Sequence, residues 1–177
     1  LTLALTIKAV VTDLGMATYI VEVTKTWLSG PVVPLLIFLI ACGTAFATGT
    51  SWGTMAILMP IAIPISWAVA GNPTEVVPLM NATIAAVLAG AIYGDHCSPI
   101  SDTTILASLA SGSDHIAHVN TQLPYATTIA VISAIIGYIP AGFGVNPWIS
   151  IAFGTVVIVL VFKFFGKKID DQGNIIK

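Results

Sequence analysis

Arginine is absent from this chain of 177 residues, and six lysines and eight acids bring the charged residues to only 8%. A water-soluble globule carries about a quarter of its residues as charges, so the scarcity excludes that class. With 56% hydrophobic residues and a mean hydropathy of +0.98, the chain reads as an integral membrane protein. A formal net charge of -2 and no basic run leave nothing on which to build a nucleic-acid footprint. Cysteine is scarce too: Cys42 and Cys97 lie far apart in apolar surroundings and are read as reduced thiols. The sequence opens at Leu1 inside an apolar run with no basic leader or cleavage site. A fragment without a signal peptide is therefore expected.

A bilayer core about 30 Å thick takes about 20 apolar residues per helical crossing. Leu123 to Phe143 and Pro147 to Phe165 fit that ruler and are separated by Gly144-Val145-Asn146, which predicts a helical hairpin. Lys163, Lys167 and Lys168 at its end favour a cytoplasmic C-terminal side. Other runs fit poorly. Leu35 to Thr48 is short, and it is followed by TGTSWGT (Thr48 to Thr54) and by Met55 to Ala70, which Pro60 and Pro64 interrupt. Val77 to Tyr93 leads into YGDHCSPISDTT (Tyr93 to Thr104) and resumes as the short stretch Ile100 to Ala110. Leu1 to Val23 carries Lys8, Asp13 and Gly15 in its middle and reads as one irregular span or its remnant. Non-helical backbone at membrane depth must be enclosed by protein or line a watery cavity. Two polar breaks of this kind point to the discontinuous helices of a secondary transporter.

In the second break, one half-helix is expected to end near Gly94 and another to start with Ser98 as N-cap and Pro99 as first residue. Asp95 then lies at a carbonyl-rich helix end and Asp102 in a first turn, so that the first is poised to exchange a proton and the second to stay ionised. A small hard cation is bound by oxygens. Asp95, Asp102, Ser98, Ser101 and Thr103 supply them, and Thr48, Thr50, Ser51 and Thr54 offer a second patch. If the two breaks meet, one site results. Membrane acids are costly enough that function is their default reading, whereas any one hydroxyl more often bonds its own preceding turn. His96 is equally a proton relay or a structural histidine. Asp114, His115 and His118, in SGSDHIAHVNTQ, read as solvated or capping groups of a polar loop. Trp27, Trp67 and Trp148 read as interfacial anchors.

Three blocks carry a resemblance: TGTSWGTMAILMPIAIPI (Thr48 to Ile65), AGAIYGDHCSPISDTTILAS (Ala89 to Ser108) and DHIAHVNTQLPYA (Asp114 to Ala126). In order and spacing they resemble the C-terminal half of the NhaC-type sodium/proton antiporters. The resemblance implies an all-α integral membrane protein of inverted-repeat, ion-transporter type with discontinuous or re-entrant helices, of which this chain covers about one repeat. Residues 1–165 would be the transporter domain and 166–177 a polar tail. It implies exchange of Na+ for H+ by alternating access in a bacterial cell membrane, with no cofactor beyond the transported ions. The ion-binding set is then Asp95, Asp102, His96, Ser98, Ser101, Thr103, Thr48, Thr50 and Ser51, and Asp95, Asp102, Ser98, Ser101, Thr50 and Ser51 are the candidate Na+ ligands. The implied partners are the bilayer, the other half of the transporter and a second copy in a homodimer.

The same resemblance admits exchangers of small organic anions or amino acids, although the motif region offers no Lys or Arg to a carboxylate substrate. An intramembrane aspartyl protease fits worse. Ile92 stands where that motif has its first glycine, and Asp102 is only seven residues from Asp95, whereas the partner acid of such enzymes comes from a separate motif on a different helix.

Overall fold

Inside hydrocarbon a helix pairs every backbone group within its own segment, and apolar runs of this length fold accordingly. The computed structural model describes residues 2–24, 28–70, 72–166, 168–169 and 175–176. The helices are α1 (Thr2–Asp13), α2 (Met16–Thr24), α3 (Val33–Thr48), α4 (Ser51–Val69), α5 (Pro73–Cys97), α6 (Asp102–Ser111), α7 (His115–Ile132), α8 (Ile139–Gly142) and α9 (Pro147–Phe165). The strands among the described residues are two-residue pieces, Lys168–Ile169 and Ile175–Ile176, paired antiparallel. The rest of the polar tail, and Trp27, lie outside the described residues.

Among the described residues, five helical segments are long and apolar enough to cross a membrane: Gly30–Thr48, Ser51–Val69, Pro73–Cys97, His115–Gly142 and Pro147–Phe164. This corrects the sequence reading in three places. The arms on either side of TGTSWGT are full crossings, because α3 is preceded by a 3-10 turn from Gly30 and α4 runs unbroken through Pro60 and Pro64. The segment expected to end near Gly94 continues to Cys97. SGSDHIAHVNTQ is helical from His115 onward. The C-terminal hairpin is present, closed by a turn in which Gly144 takes φ 75°. The α7 to α8 crossing widens to π-type pairing over Ser133–Tyr138, just before Pro140, which has no N–H to give Ile136. The first segment is broken at Gly15 (φ 64°) into α1 and α2.

Glycine and alanine determine how the central helices meet. A Cβ on Gly90 would lie 2.6 Å from the Phe38 carbonyl oxygen, and one on Gly94 would lie 2.7 Å from Ala45 Cβ. Ala41 and Ala45 are wholly buried on the facing helix. Small residues four apart on both helices let the backbones approach to contact, the usual way membrane helices associate. The contact register rises together, Phe38 with Gly90, Cys42 with Gly94 and Phe46 with Ser98, so α3 and α5 run parallel. Helix α4 carries the chain back between them, because Gly30 sits against both Val69 and Leu79. The α7 to α8 crossing lies antiparallel to α5: Gln122 reaches the His96 carbonyl, Tyr93 bonds Thr127 and Tyr138 bonds the Ala85 carbonyl.

The core is Val33, Ile37, Phe38 and Ala41 from α3, Leu58, Ala62 and Ile65 from α4, and Ala86 and Val87 from α5. Tyr138 stacks on Phe38 at 4.6 Å between ring centroids. Helix α9 buries none of its crossing residues, leaving Phe153, Val156 and Leu160 on an apolar outer surface that a bilayer solvates.

Candidate functional site

Because α3 and α5 are parallel, their C-terminal ends lie side by side. The segments that follow them therefore begin at the same level. The break after α3 is a corner of only two residues: Gly49 turns left-handed at φ 65° and Thr50 caps α4 by accepting the Gly53 N–H at 3.3 Å. Alanine is excluded at Gly49 twice over, by that φ and by the Ile100 carbonyl oxygen, 2.9 Å from where its Cβ would stand. The break after α5 runs from Ser98 to Ser101. Ser98 is not the helix cap expected from sequence. Its hydroxyl donates to the Phe46 carbonyl at 2.8 Å and accepts the Ile100 N–H at 3.3 Å, fastening this break to the end of α3. Ser101 takes the N-cap position of α6 instead. Both breaks thus sit at the ends of helices long and apolar enough to cross a membrane, where the sequence pattern suggests interruptions within crossings.

Asp95 lies between them, 8% exposed. Ser51, the first residue of α4, donates its hydroxyl to Oδ2 at 3.0 Å, and Ser101, wholly buried, donates to Oδ1 at 2.7 Å. Thr103 Oγ1 is 2.8 Å from Ser101 Oγ. The single hydroxyl hydrogen of Ser101 is committed to the carboxylate, so Thr103 is the donor in that contact. A relay of Thr103, Ser101 and Asp95 results. The beginnings of α4 and α6, each with outward-pointing N–H groups, favour negative charge beside them. Their hydroxyls satisfy the carboxylate, which makes burial of an ionised Asp95 tolerable.

The sequence-predicted residues divide sharply. Asp95, Ser51, Ser101 and Thr103 come together. Ser98 and Thr50 are one step removed, holding the two breaks in shape. Thr48 is exposed and bonded back to the Thr44 carbonyl at 2.8 Å, and Thr54 bonds the Thr50 carbonyl at 2.9 Å, both as hydroxyls within helices usually do. Asp102 does stand in the first turn of α6, but it is exposed, and its Oδ1 accepts the Thr103 N–H at 2.9 Å. It is therefore not paired with Asp95. The His96 ring is exposed, while its carbonyl accepts from Thr104 at 3.2 Å and from the Gln122 amide. Gln122 went unnoticed in the sequence, because an amide in a helix gives no sign of which distant carbonyl it will meet.

Asp114 caps α7 by accepting the Ala117 N–H at 2.8 Å, as its position suggested. His115 and His118 are not solvated. Both are half-buried against Ser108 of α6. An open groove of about 1090 Å³ lies elsewhere, between α5, the π-type segment and α9. Its lining is mostly apolar and includes one titratable side chain, Tyr138. Asp95 is the buried carboxylate that residues of both breaks reach.

A buried, hydroxyl-ringed carboxylate among apolar crossing helices is the equipment of proteins that move ions through membranes. Residues 1–143 match the Na+/H+ antiporter family, and the chain belongs to it. The family match and the helices of membrane-crossing length among the described residues make this chain part of a multi-pass membrane protein. An uncharacterized protein of Haemophilus influenzae is 40% identical over 163 residues, covering 90% of this chain and 30% of the relative. The malate-2H(+)/Na(+)-lactate antiporter of Bacillus subtilis is 31% identical over 176 residues, covering 78% of this chain and 36% of the relative. An uncharacterized Na(+)/H(+) antiporter of Haemophilus influenzae is 32% identical over 132 residues, covering 63% and 27%. The chain spans between 27% and 36% of the length of these three relatives. No solved structure matches it.

Proposed function

We propose that this chain forms one wall of an exchanger that carries Na+ and H+ in opposite directions across the cell membrane, with Asp95 as their shared carrier. The observation that carries the reading is the convergence of Ser51 and Ser101, from two separate breaks, on one buried carboxylate. An ionised Asp95 with the Ser51, Ser101 and Thr103 hydroxyls is an oxygen set of the kind that replaces the hydration shell of a hard cation. To receive the ion, the hydroxyls rotate so that lone pairs, not hydrogens, face it. A proton on Asp95 removes the charge and with it most of the attraction. The two cations therefore exclude each other, and the site crosses loaded with one or the other.

Within this reading the chain is the C-terminal part of an NhaC-type antiporter, with residues 1–165 as about one inverted repeat and 166–177 as a tail. The other half of the transporter supplies the facing wall. Asp102 and His96, exposed in this chain, stand where that wall would meet them. Lys163 on α9 lies beside Phe162, which stacks on Tyr125 near the motif end of the bundle. The positive-inside rule then turns the Asp95 end toward the cytoplasm.

The Bacillus subtilis relative, by its name, also moves malate and lactate, so exchange coupled to a small organic anion is the second reading. Among the described residues, the side chains bonded to Asp95 and its relay are hydroxyls, Ser51, Ser101 and Thr103, and none is a Lys or Arg that would meet a carboxylate substrate. The test is the full-length protein in proteoliposomes with a pH dye inside. Sodium alone driving proton efflux supports the first reading. Flux that requires malate or lactate supports the second. Normal exchange by Asp95→Asn overturns both.

A further inference from the structure

Outside the Asp95 site, one cluster has more hydrogen-bond contacts than hydrogens. Ser108 Oγ, on a residue 1% exposed, lies 2.9 Å from the Thr104 carbonyl oxygen, 3.0 Å from His115 Nδ1 and 2.8 Å from His118 Nδ1. His115 Nε2 lies 2.7 Å from the Pro99 carbonyl oxygen. A carbonyl only accepts, so Nε2 of His115 carries a hydrogen. The four contacts need four hydrogens. Neutral partners supply three: one from the Ser108 hydroxyl and one from each imidazole.

In the neutral state some contact must therefore set two lone pairs face to face. If Ser108 donates to Thr104, the bare Nδ1 of His115 faces the Ser108 oxygen. If Ser108 donates to His115, the Thr104 carbonyl is left facing it. One added proton removes the conflict. Nδ1 of His115 then donates to Ser108, Nε2 to Pro99, the His118 Nδ1–H also donates to Ser108, and the Ser108 hydroxyl is free for Thr104. Histidine is the side chain whose charge changes between about pH 5 and 8.

We propose that Ser108, His115 and His118 form a second proton-binding site, separate from Asp95, whose occupancy adds a tie from His115 of α7 to Ser108 of α6 beside the one His115 makes to the Pro99 carbonyl of the Ser98–Ser101 segment. The surrounding charges do not duplicate it. On α7 itself, Asp114 spends its carboxylate on the Ala117 N–H, and Tyr125 is exposed and stacks on Phe162. Helix α6 carries only Asp102, at its far end and exposed. From α5 come Asp95, enclosed by its serines, Tyr93, bonded to Thr127, and the exposed His96. Helix α9 carries Lys163, exposed, and the π-type segment carries Tyr138, bonded to the Ala85 carbonyl.

The cluster also reaches the first site by a short route. Thr104, whose carbonyl takes the Ser108 hydroxyl, donates its own hydroxyl to the His96 carbonyl at 3.2 Å. Pro99 lies within the segment that brings Ser101 to Asp95. A proton held at His115 therefore stiffens the frame around the carboxylate without touching it.

The test is the nitrogen-15 spectrum of histidine-labelled full-length protein between pH 5 and 9, without sodium, with the His115 signals assigned by their loss in His115→Gln. The expected result is an imidazole protonated on both nitrogens at the acid end that releases one proton as pH rises. Ser108→Ala should weaken proton binding about tenfold, moving the midpoint down by about one pH unit. The Asp95→Asn protein should titrate at His115 as the native protein does, so the two sites fail or stand separately. A His115 that keeps a single hydrogen on Nε2 at pH 5 overturns the proposal, and that native spectrum decides the matter even if Ser108→Ala does not fold. Survival of the full pH profile of exchange in a folded His115→Gln protein, whose amide keeps a donor for Pro99, likewise reduces the cluster to a structural tie.

Discussion

Ser51, first residue of one crossing helix, donates a hydrogen bond of 3.0 Å to Asp95, 44 positions away in the last turn of another. The bond is possible because α3 and α5 are parallel and end together, which brings the start of α4 to the carboxylate. It joins the two polar breaks into one site.

Asp95→Asn in the full-length protein keeps the side-chain size and removes the exchangeable charge, so sodium-driven proton flux in proteoliposomes should be lost. In the native protein the apparent sodium affinity should fall about tenfold for each pH unit below the midpoint of the carboxylate, because only the ionised fraction binds. Sodium affinity that stays flat across the acid range would separate the proton from this site.

Ser101→Ala should weaken sodium binding about tenfold and Ser51→Ala less, about threefold. Ser101 is wholly buried, makes the shorter contact at 2.7 Å and brings Thr103 with it, whereas Ser51 is half-buried at 3.0 Å. Isothermal titration of the purified protein with sodium ranks the two, and the reverse order would mean that Oδ2 faces the ion more directly than Oδ1.

Asp102→Asn should leave sodium affinity within about threefold of native. Its carboxylate is exposed and occupied by the Thr103 N–H, and exposed charges in high dielectric interact weakly. A collapse of binding would mean that the Asp102 carboxylate itself touches the ion.

Gly94→Ala should destabilise the protein by about 1–3 kcal/mol, because the added methyl enters the α3 to α5 contact against Ala45. Gly43→Ala is the control, since a Cβ there has no neighbour within 4 Å. Thermal unfolding in detergent, followed by circular dichroism, should show a lower midpoint for the first and an unchanged or slightly raised one for the second.

Ser98→Ala removes the tie to the Phe46 carbonyl, 52 positions away. Sodium affinity should fall while thermal stability changes little, since the loss is in how the breaks are aligned. An equal loss of both would make Ser98 a core contact and nothing more.

Much of this protein is legible from sequence because hydrocarbon permits so few solutions. A chain with 8% charge and long apolar runs has to be helical and membrane-spanning. The hairpin around Gly144 and the presence of two oxygen-rich breaks follow from local composition, and the burial of Asp95 follows from the expense of an acid in such company. What local pattern misjudged was length. Pro60 and Pro64 read as interruptions, yet α4 passes straight through them, because neighbouring helices in a bundle tolerate a missing backbone donor. The breaks consequently moved from the interior of crossings to their ends. Partnership was decided only by the tertiary structure. Nothing in the spelling of Ser51, Ser98 or Ser101 distinguishes a hydroxyl that meets a carboxylate from one that meets a carbonyl, and Asp95 and Asp102 look alike as letters. The close approach of Gly90 and Gly94 to α3 fixes the parallel register, and that register puts Ser51 and Ser101 on Asp95, leaves Asp102 outside, and carries His115 and His118 to Ser108. A hydrogen bond between residues dozens of positions apart depends on which helices lie side by side, and that is a property of the packed bundle rather than of any stretch of its sequence.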